Sequence, residues 1–200
     1  MNTADIIINF LIFLITVSLL ILFSRKDGKW MPERLKTAFR FFTCQSNVLC
    51  AAAALLMAAF LLTGTVPEWV WILKYIGTAA VTITMLTVFL FLWPSIGKGG
   101  LKQLISGYDL FMHLITPLLA VASFCFPERR SMSFVQSLWG LLPLILYGPL
   151  YLYKILYAPE EKRWEDFYGF NKTGKWPVSF GIMLAGSFML CMVFMLIQNA

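Results

Sequence analysis

Six apolar runs, each about long enough to cross a bilayer, succeed one another along these 200 residues. They are predicted over Ala4–Ser24, Thr37–Leu62, Trp69–Trp93, Leu101–Phe126, Ser133–Tyr157 and Pro177–Gln198. Hydrocarbon offers the backbone no hydrogen-bonding partners, so runs of about 20 apolar residues fold as helices that satisfy their own amides. The expectation is an all-α polytopic membrane protein of six transmembrane helices, a single domain over residues 1–200. Composition argues the same way. With 60% hydrophobic and 13% charged residues and a mean hydropathy of +0.77, the chain has too little polar surface to cover a water-soluble fold. The first run lacks a basic start and a small-x-small cleavage site, and its positive charges follow it. It is therefore read as a retained helix and not as a signal peptide.

The net charge of +6 does not mark a nucleic-acid binder, because the basic residues sit in short loops between the apolar runs. Twelve of the sixteen Lys and Arg lie in the connections after the first, third and fifth helices or, as Lys102 and Lys154, just inside the helix ends that flank them, whereas the other side carries Arg129 and Arg130. Lys74, just inside the third helix, is expected to snorkel toward that second side. The positive-inside pattern then places both termini outside and the three basic loops in the cytoplasm. The cysteines, Cys44, Cys50, Cys125 and Cys191, lie singly in apolar segments and read as packing residues, with no disulfide framework or zinc spacing.

Punctuation within the runs is informative. Ala51–Ala54, Ala58 and Ala59 give the second helix a close-packing surface. Pro94 to Gly100 breaks the chain; without a preceding strand or a Walker pattern it is a connection, not a phosphate loop. Pro117 predicts a kink in the fourth helix, and Pro143, Gly148 and Pro149 a bent fifth. The loop Ala158–Trp176 alternates aromatic and charged residues, which suits a segment lying on the membrane interface.

Two polar stripes interrupt this apolar background. Arg40, Thr43 and Asn47 fall at i, i+3 and i+7 on the second helix; Asp109, His113 and Thr116 fall at i, i+4 and i+7 on the fourth. His113 is the sole histidine. Thr43 lies seven residues past Lys36 and His113 eleven past Lys102, roughly 10 and 16 Å along helices running the same way. Tyr147 and Tyr151 of the fifth helix, and Thr82, Thr84 and Thr87 of the third, return to that layer. Taken singly, each has a structural explanation. A membrane threonine usually bonds the carbonyl four residues earlier, a lone histidine usually ties helices together, and tyrosines anchor at interfaces. Their co-occurrence at one depth marks a functional site between the second, third, fourth and fifth helices.

Phe41-Phe-Thr-Cys-Gln-Ser-Asn-Val-Leu49 and His113-Leu-Ile-Thr-Pro-Leu118, with Tyr147-Gly-Pro-Leu-Tyr151 and the order of six helices, resemble the androgen-induced and androgen-dependent intramembrane threonine hydrolases and their bacterial relatives. The Gln-Ser-Asn run resembles the bacterial branch more closely, and that implies a bacterial cytoplasmic membrane. The resemblance further implies that Thr43 and His113 are a catalytic pair. The implied substrates are fatty acid esters of hydroxy fatty acids or similar acyl esters. Within that chemistry His113 would take the Thr43 proton as the alcohol attacks an ester carbonyl. Asp109 would orient the imidazole, Asn47 or Tyr147 would donate to the oxyanion, Arg40 would hold a carboxylate, and Tyr151 would help line the pocket. No cofactor is implied. One histidine excludes paired haem ligation, and His113 with Asp109 is too small a set for a metal. Two other functions fit the same residues: an acyltransferase, differing only in the acceptor, and a small transporter or channel. The second requires access from both sides, whereas the outer ends of the helices read as uniformly apolar.

Overall fold

The computed structural model describes residues 3–96 and 106–200. The predicted start of the fourth helix at Leu101, with Lys102 and most of the Pro94 to Gly100 connection, lies outside the described residues. Among the described residues the chain is all-helical apart from one two-residue ladder, Arg25–Lys26 against Lys29–Trp30, closed by Asp27 and Gly28 at positive φ. Six helices are long and apolar enough to cross a membrane: α1 Thr3–Phe23, α3 Phe42–Leu62, α4 Glu68–Leu92, α5 Tyr108–Cys125, α6 Phe134–Leu156 and α7 Trp176–Asn199. The short α2, Pro32–Ala38, precedes α3. The protein is an integral membrane protein.

The helices α1, α3, α4 and α5 form a ring in which α1 packs on α3 and α5, and α4 packs on the same two; α6 and α7 pack against α4. The most enclosed span is α4. Its approach to α3 is close because Gly77 faces the Cys50 backbone: a Cβ there would lie 2.8 Å from Cys50 Cα. Cys50, Ala51, Ala53, Ala54 and Ala58 bury the small-residue face of α3. This is the steric logic of membrane helix pairs, whose association depends on van der Waals fit more than on the hydrophobic effect. Mid-bundle, Ile12, Cys50, Ala54, Val81 and Ala120 pack into one cluster with members from all four ring helices. All four cysteines are buried and unpaired.

Both termini lie at one end of the bundle. Asn9 reaches Glu128 in the α5–α6 connection, and Gln198 and Asn199 reach Phe124, Arg130 and Met132. A Ser133–Gln136 capping box starts α6 there.

The structure corrects four expectations. The second run is not one helix from Thr37 to Leu62: the chain turns at Phe39–Phe41 and α3 begins at Phe42. Lys74 does not snorkel. It is 0% exposed, with Nζ donating to Asn9 Oδ1 at 2.6 Å and Ser123 Oγ at 2.9 Å and lying 3.4 Å from Glu128 Oε1. The terminal end is consequently not uniformly apolar, since Asp5, Asn9, Lys74, Ser123 and Glu128 form a buried polar cluster within it. Finally, the Ala158–Trp176 loop does not simply lie flat on the interface. Phe170 is buried, and Trp164, Phe167 and Tyr168 pack against Tyr151 of α6.

Proline explains the irregular helices. Pro117 has no N–H for the residue-113 carbonyl, and α5 widens into a π-helical turn over Phe111–Ile115. Pro94 follows a second such turn, Val88–Leu92, in α4. The expected irregularity of α6 is a 3₁₀ turn at Trp139–Leu141, after which the helix continues through Pro149.

Candidate active site

The break at Phe39–Phe41 decides what Thr43 does. In a continuous helix its hydroxyl would bond the carbonyl of residue 39. Here that carbonyl accepts from Gln45 Nε2 at 2.8 Å instead, and Thr43 sits in the first turn of α3. Its Oγ1 lies 3.4 Å from His113 Nε2. Thr82, Thr84 and Thr87 follow the usual pattern, donating to the carbonyls of Thr78, Ala80 and Ile83. A catalytic pair is often this loose without substrate and tightens when substrate binds.

The π-helical turn carries His113 toward Thr43. Across the α3–α5 gap, Asn47 Nδ2 donates to Thr43 O at 2.8 Å and Met112 O at 3.1 Å. Both Asn47 donors are thus committed to the backbone carbonyls of Thr43 and Met112, which leaves neither for the oxyanion role expected of Asn47. Its buried Oδ1 has no hydrogen-bond partner.

The α3 N-terminus has no side-chain cap from Phe41. The Phe42 N–H donates instead to the Tyr168 hydroxyl at 2.9 Å. Tyr168 comes from the α6–α7 loop and was not singled out in the sequence; one tyrosine among many loop aromatics carries no periodic signal. The loop is held by a chain of bonds. The Tyr168 N–H donates to Tyr151 Oη at 3.1 Å, Tyr151 Oη donates to Asp166 Oδ1 at 2.8 Å, and Asp166 accepts the N–H groups of Phe170 and Asn171. Burial pushes the Tyr168 phenol above its ordinary pKa, partly offset by bonds at Phe42, Tyr147 and Thr43. Tyr147 Oη donates to Arg40 O at 2.7 Å, tying α6 to the turn before α3. Tyr147 and Tyr151 are therefore supports for the site, their hydroxyls already engaged. The Arg40 backbone is held there, but its side chain is exposed and lines neither chamber described below. Asp109 lies one turn before His113 and lines the same chamber.

Two chambers meet at Thr43. The larger, about 410 Å³, runs between α1, α3, α5 and the loop, with Leu19, Phe23, Phe41, Asp109, His113 and Tyr168 in its wall. The smaller, about 30 Å³, lies between α3, α4, α6 and α7, lined by residues including Phe42, Ile83, Val88, Leu144, Tyr147 and Met183. Thr43 and Tyr168 line both, and His113 only the larger. Among the described residues no group of three or more His, Cys, Asp or Glu could hold a metal ion. The arrangement offers a hydroxyl beside an imidazole, at a helix start whose first-turn N–H groups have no acceptors within the helix. Those amides and the positive end of the helix dipole favour negative charge developing at Thr43.

No family model, curated protein or solved structure matches this chain.

Proposed function

We propose that the protein is an intramembrane ester hydrolase in which Thr43 is the nucleophile and His113 the base. The observation that carries this reading is the Thr43 hydroxyl. It is directed to His113 Nε2 at 3.4 Å by a helix break that removes its usual carbonyl partner. With the imidazole proton on Nδ1, Nε2 accepts the Thr43 proton as Oγ1 attacks the ester carbonyl. The carbonyl π electrons move onto oxygen, and that oxyanion is stabilised by the Tyr168 O–H and the first-turn amides. His113 then protonates the leaving alkoxide as its C–O bond breaks. Water attacks the Thr43 ester, releasing the acid and restoring the hydroxyl. The apolar chamber walls hold the substrate's hydrocarbon, each buried methylene contributing about 0.8 kcal/mol. The resemblance to the intramembrane threonine hydrolases supports the same pair. An acyltransferase would use the identical first step with a lipid alcohol in place of water. In this reading the membrane is a bacterial cytoplasmic one, with both termini outside and the basic loops in the cytoplasm.

The test is covalent labelling of detergent-purified protein with a fluorophosphonate, with the modified residue identified by mass spectrometry. Wild type is expected to be labelled on Thr43, Thr43→Ala to be unlabelled, and His113→Ala to react at least about 100-fold more slowly. Equal labelling in Thr43→Ala, with the helical fold retained, would overturn the assignment.

One observation favours transport as the second reading: the buried Asp5–Asn9–Lys74–Glu128 cluster puts polar groups at the terminal end of the same four-helix ring that holds His113 at the other. That reading gains if Thr43 proves unreactive.

A further inference from the structure

The two chambers differ in size and in which catalytic group they expose, and together these differences set the substrate's orientation. We infer that the enzyme cleaves short-chain acyl esters, of about two to four acyl carbons, of long apolar alcohols. The inference rests on the Thr43–His113 reading and deepens it.

The argument starts from the proton. Once Thr43 Oγ1 has bonded to the carbonyl carbon, the proton on His113 Nε2 must pass to the departing alkoxide as the carbon–oxygen bond breaks. The alkoxide therefore lies within hydrogen-bond reach of His113. Of the two chambers His113 lines the 410 Å³ one and not the smaller, so the alcohol arm occupies the larger. Its volume lies within the roughly 300–1,000 Å³ usual for small-molecule sites, and its Leu19, Phe23 and Phe41 walls suit hydrocarbon.

The acyl arm leaves the same carbonyl in another direction. Thr43 also lines the chamber of about 30 Å³, whose wall includes Ile83, Leu144 and Met183, all buried. A chamber this small beside the carbonyl suits a short acyl group and not a long chain. A long acyl chain would have to displace Met183 or Leu144 from packed positions. This departs from the long-chain fatty acyl group that the family resemblance implies. Hydrolysis of the short Thr43 ester by water returns a short carboxylic acid and the free hydroxyl.

The experiment measures kcat/KM of purified protein on acetyl, butyryl, octanoyl and palmitoyl esters of one long-chain alcohol. Wild type is expected to lose at least about tenfold between butyryl and octanoyl, and Met183→Ala to recover at least about tenfold on octanoyl. Leu144→Ala serves if Met183→Ala does not fold. Octanoyl or palmitoyl esters cleaved as well as acetyl by wild type would overturn the inference, as would a chain-length optimum unmoved by the folded chamber variant. Cleavage of none of the esters by a protein whose Thr43 the phosphonate labels would overturn the chain-length inference alone. Cleavage of none, with Thr43 unlabelled, would show that the Thr–His reading itself has failed, and this inference with it.

Discussion

Thr43, Thr82, Thr84 and Thr87 carry the same hydroxyl and use it differently. Three bond back to their own helix, and one, lacking that carbonyl, turns to a histidine. That Thr43 and His113 come together was legible in the sequence because a sole histidine and an isolated polar stripe stand out against apolar neighbours. The reason Thr43 differs was not legible, since nothing in Phe39-Arg-Phe41 announces a break inside an otherwise helical pattern. Tyr147 and Tyr151 were found by depth, but their hydroxyls hold the loop and the turn. Tyr168 was missed because loop residues have no period to read. Its test is Tyr168→Phe, which keeps the ring contacts with Tyr147, Tyr151 and Phe167 and removes only the hydroxyl. Phosphonylation of Thr43 is expected to slow by about 10²–10³-fold, the usual loss for one oxyanion donor. The sign of its pH dependence follows from burial. A phenol held above its ordinary value stays protonated longer as pH rises, so it causes no alkaline loss below about pH 10. A Tyr168→Phe rate within twofold of wild type would remove Tyr168 from the chemistry.

At the scale of the element, two departures from regular helix shape the site: the turn before α3 and the π-helical turn of α5. The first uncovers Thr43 at the start of α3, beside the Phe42 amide that donates to Tyr168. The second adds a residue's worth of backbone, turning His113 relative to the rest of α5. The proline was legible as a disturbance, but whether it would kink or widen the helix was not, because that choice depends on what α5 packs against. Asn47 supplies part of the answer, since its side-chain amide donates to the Met112 carbonyl. Pro117→Ala restores the missing N–H and lets α5 close to regular α-helix, rotating His113 by up to about 100°. The expected outcome is unchanged helical content by circular dichroism with at least tenfold slower Thr43 labelling, about 1.4 kcal/mol of activation free energy. Wild-type labelling in Pro117→Ala would separate the π-helical turn from the site's geometry.

Across the whole molecule, six spans were readable from hydropathy alone, because lipid enforces helices of one length whatever their neighbours. The ring of four and the cluster inside it were not readable. A single Lys74 near a helix start looks like a snorkelling side chain until three-dimensional packing brings Asn9, Ser123 and Glu128 around it. Breaking a buried ion pair from one side leaves an unpaired charge, typically costing about 3–5 kcal/mol, whereas removing both sides costs much less. Lys74→Met is therefore expected to lower the thermal midpoint in detergent sharply, and Lys74→Met with Glu128→Leu to recover most of the loss. A double variant as unstable as the single one would show that the pair does not couple.

That cluster also has a consequence for synthesis. Asp5 and Asn9 emerge from the ribosome well before Lys74, and more than a hundred residues before Glu128, the partner that Asn9 contacts. Asn9 lies two turns into the first helix, where an amide without a partner opposes insertion. Through most of translation the first helix thus carries polar groups whose partners do not yet exist. Its final seating waits for the α5–α6 connection, so assembly at this end joins the beginning of the chain to residues well past its middle.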